Sequence, residues 1–213
     1  MQVHITIDLV IAVAIILLVS FPVHEFSHAL AAYRLGDGTA KMMGRLTLNP
    51  VAHFDPLGAA LLCISAVIGR GIGWAKPTPV NPNMLRYGSA GQAIVAFAGP
   101  ASNLVLAAIV AIPLRFIYHS ASLFGTFPPI ALGVMENFVL INLSLFVFNL
   151  IPIPPLDGSQ ILLAALDPRT RYTVGPALMQ YGPLILLVVI LTGAFSILLG
   201  PVIVALFSFL VGL

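Results

Sequence analysis

The chain has 213 residues, of which 60% are hydrophobic and 8% charged, with a mean hydropathy of +1.08 and a formal net charge of +2. A soluble domain carries about 25% charged residues, so this composition excludes one, and the lack of any basic block excludes nucleic acid as a partner. A single cysteine, Cys63, excludes an internal disulfide framework and reads as a small packing residue in an apolar run.

Several apolar runs can cross a hydrocarbon core of about 30 Å, which takes about 20 helical residues. The prediction is an all-α polytopic membrane protein of about four to six transmembrane helices, with a re-entrant segment and a short β-hairpin on the cytoplasmic side. Residues 1–213 read as one membrane domain, with a core over 9–166 and a C-terminal helix or helices over 184–213.

The first helix is expected from Leu9 to Tyr33, bent at Pro22 and ended by Gly36-Asp37-Gly38. No basic flank precedes it, so it reads as a retained helix rather than a cleaved signal peptide. Within it, Phe21-Pro22-Val23-His24-Glu25-Phe26-Ser27-His28-Ala29-Leu30 places H-E-x-x-H in an apolar run. Residues four apart share a helix face, so His24 and His28 can offer two ring nitrogens to one metal ion. Glu25 borders that face and can take a proton from a metal-bound water. The plainer reading of the same residues is a polar patch that joins helices, but an ionisable cluster inside a membrane is costly and marks function.

Next, Thr39 to Pro56 is more polar, and Lys41–Met43 and Arg45–Leu48 around Gly44 are predicted to pair as the hairpin. An exposed edge there would allow an extended substrate to add as a strand. Leu57–Ile68 is apolar but short, which predicts a re-entrant segment. A loop rich in Gly and Pro follows from Gly69 to Pro82, with Trp74 suited to the membrane interface. A second span is expected over Ala93–Tyr118, containing Gly99-Pro100-Ala101-Ser102-Asn103, and a third over Leu132–Ile151. The third breaks at Pro152-Ile153-Pro154-Pro155-Leu156-Asp157-Gly158, and a short helix resumes over Ser159–Leu166. Leu184–Leu213 is too long for one upright span: it is either a tilted helix or a hairpin broken at Gly200-Pro201.

If Leu57–Ile68 does not cross, Arg34, Lys41, Arg45, Arg70, Lys76, Arg86, Arg169 and Arg171 share one side and Arg115 alone takes the other. Cytoplasmic loops collect Lys and Arg, so this arrangement is favoured. It puts the N-terminus outside the cell membrane and His24 to His28 near the cytoplasmic end of their helix.

A catalytic zinc usually has three protein ligands and an open position. The acids are Asp8, Glu25, Asp37, Asp55, Glu136, Asp157 and Asp167. Asp8 and Glu136 fall a helix length from the motif, while Asp37 and Asp167 read as turn or helix-end residues. Asp55, with His53, lies in the polar loop and stays a candidate. Asp157 is the strongest, because the third helix returns it to the depth of the histidines, where a broken backbone must line a buried or wet site. Asn149 precedes the break and can present an amide to an extended peptide or an oxyanion. Asn137 and Asn142 read as amides that bond helices together.

His24-Glu25-Phe26-Ser27-His28, Gly99-Pro100-Ala101-Ser102-Asn103 and Asn149 to Gly158 together resemble the three core motifs of the site-2 protease family of intramembrane zinc metalloproteases. RLTLNPVAHFDP and GWAKPTPVNP are similar to its small prokaryotic members without PDZ or CBS domains. The resemblance implies one Zn2+ per chain held by His24, His28 and Asp157, with Glu25 as general base. It also implies a substrate-holding role for Asn149, a place for Asn103 in the core packing or the site, and a transmembrane protein as substrate within the lipid bilayer. No sensor domain is expected, so regulation through one is not. The alternative is a membrane metal transporter using the His/Glu/Asp cluster as its transit site. A reporter fused near Asn83 should read cytoplasmic; an external reading overturns the charge scheme.

Overall fold

The computed structural model describes residues 6–55 and 77–213, and these are helical with no strands among them. The expected re-entrant segment Leu57–Ile68, with Cys63 and Trp74, lies outside the described residues. Five helices are long and apolar enough to cross a membrane: α1 (Ile7–Arg34), α2 (Gly88–Tyr118), α3 (Pro129–Asn149), α5 (Pro168–Thr192) and α6 (Ala194–Val211). A short α4 (Asp157–Ala165) carries the third candidate ligand. The outer faces of the long helices leave Ile7, Leu18, Val105, Ile109, Phe116, Ile197 and Phe209 exposed. Apolar surface of that extent belongs in lipid, so the chain is a multi-pass membrane protein.

Pro22 does not break α1. A π-helical turn, Ile16–Ser20, precedes it, and the N–H of Phe21 reaches back to the Ile16 carbonyl. Proline has no N–H and its ring crowds the carbonyl four residues earlier; one widened turn relieves both problems and keeps the helix continuous into the motif.

α2 packs against both α1 and α3. Its buried residues include Gly91, Val95, Gly99, Asn103, Ala107 and Ala111, each four after the last, a single ridge along the helix. Lipid provides no hydrophobic drive to join helices, so association relies on close van der Waals packing, and small residues permit it. Ala107, Ala111, Leu114 and Ile117 meet Leu132, Val139 and Leu143 of α3 and Val211 of α6.

The expected hairpin is absent. Thr39–Met42 forms a helical turn, in which Arg45 N–H bonds the Ala40 carbonyl at 2.8 Å and Gly44 N–H bonds that of Lys41 at 3.1 Å. Gly44 has φ of 71°, so it ends a helical turn in the left-handed conformation instead of turning a hairpin. The opposite end is held by Asp37, whose Oδ1 accepts from the N–H and hydroxyl of Thr39. Burial works against the charged form of Asp37, but hydrogen bonds from Thr39 and Asn81 outweigh it and hold the carboxyl below its ordinary range. With these backbone groups bonded locally, there is no free edge for strand addition.

The C-terminal stretch is two helices. The break falls at Gly193, with φ of 73°, while Gly200 and Pro201 sit inside or beside regular turns of α6. α5 starts well before Leu184 because Asp167 caps it, accepting from the N–H groups of Arg169 and Thr170 ahead of Pro168 in the first turn. Phe195 at the start of α6 stacks on Phe148 near the end of α3, with ring centroids 5.0 Å apart. Gly212 at the other end lies against Arg115 and His119. α6 is therefore antiparallel to α3. Arg171 near the start of α5 bonds the Leu163 carbonyl, Gly182 rests on Pro154, and Phe195 just beyond its end meets Phe148, so both ends of α5 belong to the end of the bundle that carries α4. Length and composition alone qualify it as a span, but its contacts do not run it alongside the others.

Ala107 is fully buried and Ile109 is 59% exposed on the same helix. Ala107→Leu should destabilise the protein by about 1–3 kcal/mol through overpacking, lowering Tm in detergent. Ile109→Ala should leave Tm nearly unchanged; equal effects at the two positions would contradict the packing described.

Candidate metal centre

His24 and His28 lie one helical turn apart on α1 and are both buried. Asp157 arrives from α4, whose first turn it occupies, where the helix dipole favours a carboxylate. The three side chains converge. His24 Nε2 lies 3.0 Å from His28 Nε2, and Asp157 Oδ2 lies 3.2 and 3.4 Å from the two nitrogens. Zinc bonds of about 2.0–2.1 Å in a tetrahedron place ligand atoms about 3.3 Å apart, so this triangle has the size a zinc ion requires. Among the described residues, these three form the group of His, Cys, Asp and Glu side chains able to hold a metal ion. Asp157 Oδ2 is buried with no hydrogen-bond partner, which for a carboxylate oxygen calls for a cation.

The histidine tautomers follow from what their outer nitrogens meet. His28 Nδ1 lies 2.7 Å from the Val95 carbonyl, which only accepts, so Nδ1 carries a proton and the lone pair of the neutral ring falls on Nε2. His24 is fixed through a longer chain. The Phe138 carbonyl accepts from Asn142 Nδ2 at 2.9 Å, Asn142 Oδ1 accepts from Asn103 Nδ2 at 3.1 Å, and Asn103 Oδ1 faces His24 Nδ1 at 2.6 Å. Because a main-chain carbonyl begins the chain, each amide has one allowed orientation and His24 must also be protonated on Nδ1. Two lone pairs facing each other at 3.0 Å repel unless something positive lies between them. The residues present fit a zinc ion.

Gly99 makes the arrangement possible. A Cβ built there would sit 2.6 Å from His24 Nε2 and closer still to His28, so both imidazoles rest on bare backbone. Gly158 has a related role. Its φ is unremarkable, but a Cβ would strike the carbonyls of Leu150 and Ile151, so it is needed for space and not for backbone freedom.

Glu25 is half-buried, and its Oε2 accepts from Thr78 N–H at 2.9 Å and Thr78 Oγ at 2.8 Å. Asn149 ends α3, where its Nδ2 bonds the Leu145 carbonyl at 3.0 Å. Asn103 is fully buried, and His24 and Asn142 use both ends of its amide, which leaves it behind a histidine and out of reach of a substrate. His53 bonds the Thr47 carbonyl and stands outside the triangle, as does Asp55. Asp8 receives Asn137, and Glu136 receives Tyr118, at the far end of the bundle. Thr78 was missed by the sequence reading, although its place between two prolines was a signal. Asn142 was seen as a helix linker but not as the first support of a histidine.

A His-His-Asp triangle beside a glutamate, inside membrane helices, defines the class of an intramembrane metallohydrolase. Residues 129–192, which include Asp157, match the model of peptidase family M50. A Bacillus subtilis protein named "Putative zinc metalloprotease YwhC" is 39% identical over 188 residues, covering 88% of this chain and 83% of that protein. Proteins named "Putative zinc metalloprotease Rip2" from Mycolicibacterium smegmatis and Mycobacterium tuberculosis are each 34% identical, over 84% and 82% of this chain and 66% and 64% of their own lengths. No solved structure matches. The chain belongs to peptidase family M50, the site-2 proteases, and is a membrane zinc metalloprotease.

Asn103→Leu keeps the volume but removes the acceptor for His24 Nδ1. Zinc affinity in a chelator competition should fall about 10–100-fold, while Asn149→Leu should retain it. Wild-type affinity in Asn103→Leu would remove the amide chain from the centre.

Proposed function

We propose that this zinc metalloprotease binds its metal through His24 Nε2, His28 Nε2 and Asp157, with Glu25 as the general base for hydrolysis of a peptide bond in a transmembrane segment. The observation that carries the reading is the triangle of 3.0, 3.2 and 3.4 Å among the three ligand atoms. When bound, zinc would supply Lewis acidity toward a scissile carbonyl and lower the pKa of its water to about 7. Glu25, adjacent to His24 in the helix, takes the proton of the attacking water and returns it to the leaving amine. The Val95 carbonyl and the Asn103 amide hold the imidazoles in one tautomer, so the site needs no rearrangement to accept its ion. Asn149 stands where α3 ends, and its amide can leave the Leu145 carbonyl to hold an unwound substrate backbone.

We further place the N-terminus outside the cell and the metal centre toward the cytoplasm. Arg34, Arg86, Arg169 and Arg171 sit at the end of the bundle nearest α4, and Arg115 sits at the opposite end, which supports that orientation under the positive-inside rule. A transporter would want ligands at successive depths. The remaining acids in the helices, Asp8 and Glu136, lie together at the far end with Asn137 and Tyr118 as partners.

The test is Glu25→Gln, assayed with a fluorescent single-span peptide in liposomes. It should keep one zinc per chain and lose cleavage by at least about 100-fold, the usual weight of a general base. Cleavage at the wild-type rate would reject Glu25 as base, and altered zinc flux across the liposomes would favour transport.

A further inference from the structure

Residues 77–86 form a strap along the second half of α1. Val80 and Leu85 pack on Ala31, Ala32, Leu35 and Val95. Three backbone bonds fasten it: Thr78 N–H to Glu25 Oε2 at 2.9 Å, Asn81 N–H to Asp37 Oδ2 at 2.7 Å, and Arg86 N–H to the Leu35 carbonyl at 2.8 Å. Thr78 stands between Pro77 and Pro79. Neither proline has an N–H, so Thr78 provides the one main-chain donor of the three, and a residue before proline is confined to extended conformations. The strap is therefore stiff before it docks, and little entropy is lost in aiming that donor.

We propose that Thr78 is a positioning residue for the general base, an inference that rests on the protease reading of Glu25. Its N–H donates to Oε2, its hydroxyl is shared between Oε2 at 2.8 Å and the Glu25 main-chain carbonyl at 3.1 Å, and among the described residues Oε1 has no hydrogen-bond partner. Two donors on one oxygen stop the carboxylate from rotating and reserve Oε1 for the water proton. Oε2 remains an acceptor whether or not Oε1 is protonated, so both bonds persist through proton uptake and release. The base thus works without reorganising its support, which is the condition for efficient proton transfer in a preformed site. Asp37 acts one step further away, by fixing Asn81 and with it the height of the strap on α1.

The test combines kinetics with amide exchange. Thr78→Val keeps the shape and the N–H but removes the hydroxyl. It should lower kcat about 10–100-fold with KM and zinc content unchanged, the size of effect expected of a misplaced catalytic group, and Thr78→Ser should restore kcat. Of residues 77–82, three are not proline and carry amides: Thr78, Val80 and Asn81. In Glu25→Ala the Thr78 amide should exchange faster, while Asn81, held by Asp37, should not. An unchanged kcat in Thr78→Val, a Ser variant as slow as the Val variant, or unaltered Thr78 exchange in Glu25→Ala would each overturn the proposal. A rise in KM with faster exchange at Asn81 would also overturn it, since that is the signature of a loosened strap. The exchange experiment reads the Thr78–Glu25 contact without any substrate. Failure of Glu25 as base, seen as cleavage by Glu25→Gln, is therefore recognised separately.

Discussion

The molecule depends on how closely α2 can approach α1 at Gly99. Both imidazoles lie against that backbone, and any side chain there would occupy the space of their Nε2 atoms. The ridge that begins with Gly91 and continues through Val95, Gly99, Asn103, Ala107 and Ala111 is what allows the approach. Each member does something different at the same helical spacing. Val95 offers a carbonyl to His28, Gly99 offers room, Asn103 offers an acceptor to His24, and the two alanines bring α3 near enough to supply Asn142.

In lipid, a buried amide without a partner costs several kcal/mol, so the Asn103–Asn142 pair cannot be read as idle polarity. The chain from the Phe138 carbonyl to His24 Nδ1 has one consistent direction, and it crosses three helices. The same bonds that join the helices therefore set the tautomer of His24. Packing and protonation are not separable here: loosening α3 from α2 would free His24 to change tautomer.

Much of this was legible from spacing and depth. The four-residue interval of His24 and His28 and the return of α3 to their level brought out the histidines and Asp157 without any contact information. The multi-helix membrane architecture followed from composition. The errors have physical causes. Gly44 reads equally as a hairpin turn or as a helix end, and only the Asp37 cap and the bond from Arg45 to Ala40 decide. Gly193 and Gly200 are alike in sequence; the left-handed φ at Gly193 comes from where α6 packs. Pro201 was taken as a possible break, yet in a helix the missing N–H is tolerated, as Pro100 and Pro113 also illustrate. Thr78 was missed because its partner is 53 residues away: the flanking prolines mark a stiff segment but not what it touches.

The course of α5 also sorts the polar groups of the bundle by end. α1, α2, α3 and α6 alternate in direction along the bundle, whereas α5 begins and ends near α4. Asp8, Tyr118 and Arg115 gather at the end of the bundle away from α4. The opposite end carries the strap, the Asp37 turn and α4. The residue that contacts Glu25 and the helix that brings in Asp157 therefore reach α1 from the end of the bundle at which α5 both starts and stops.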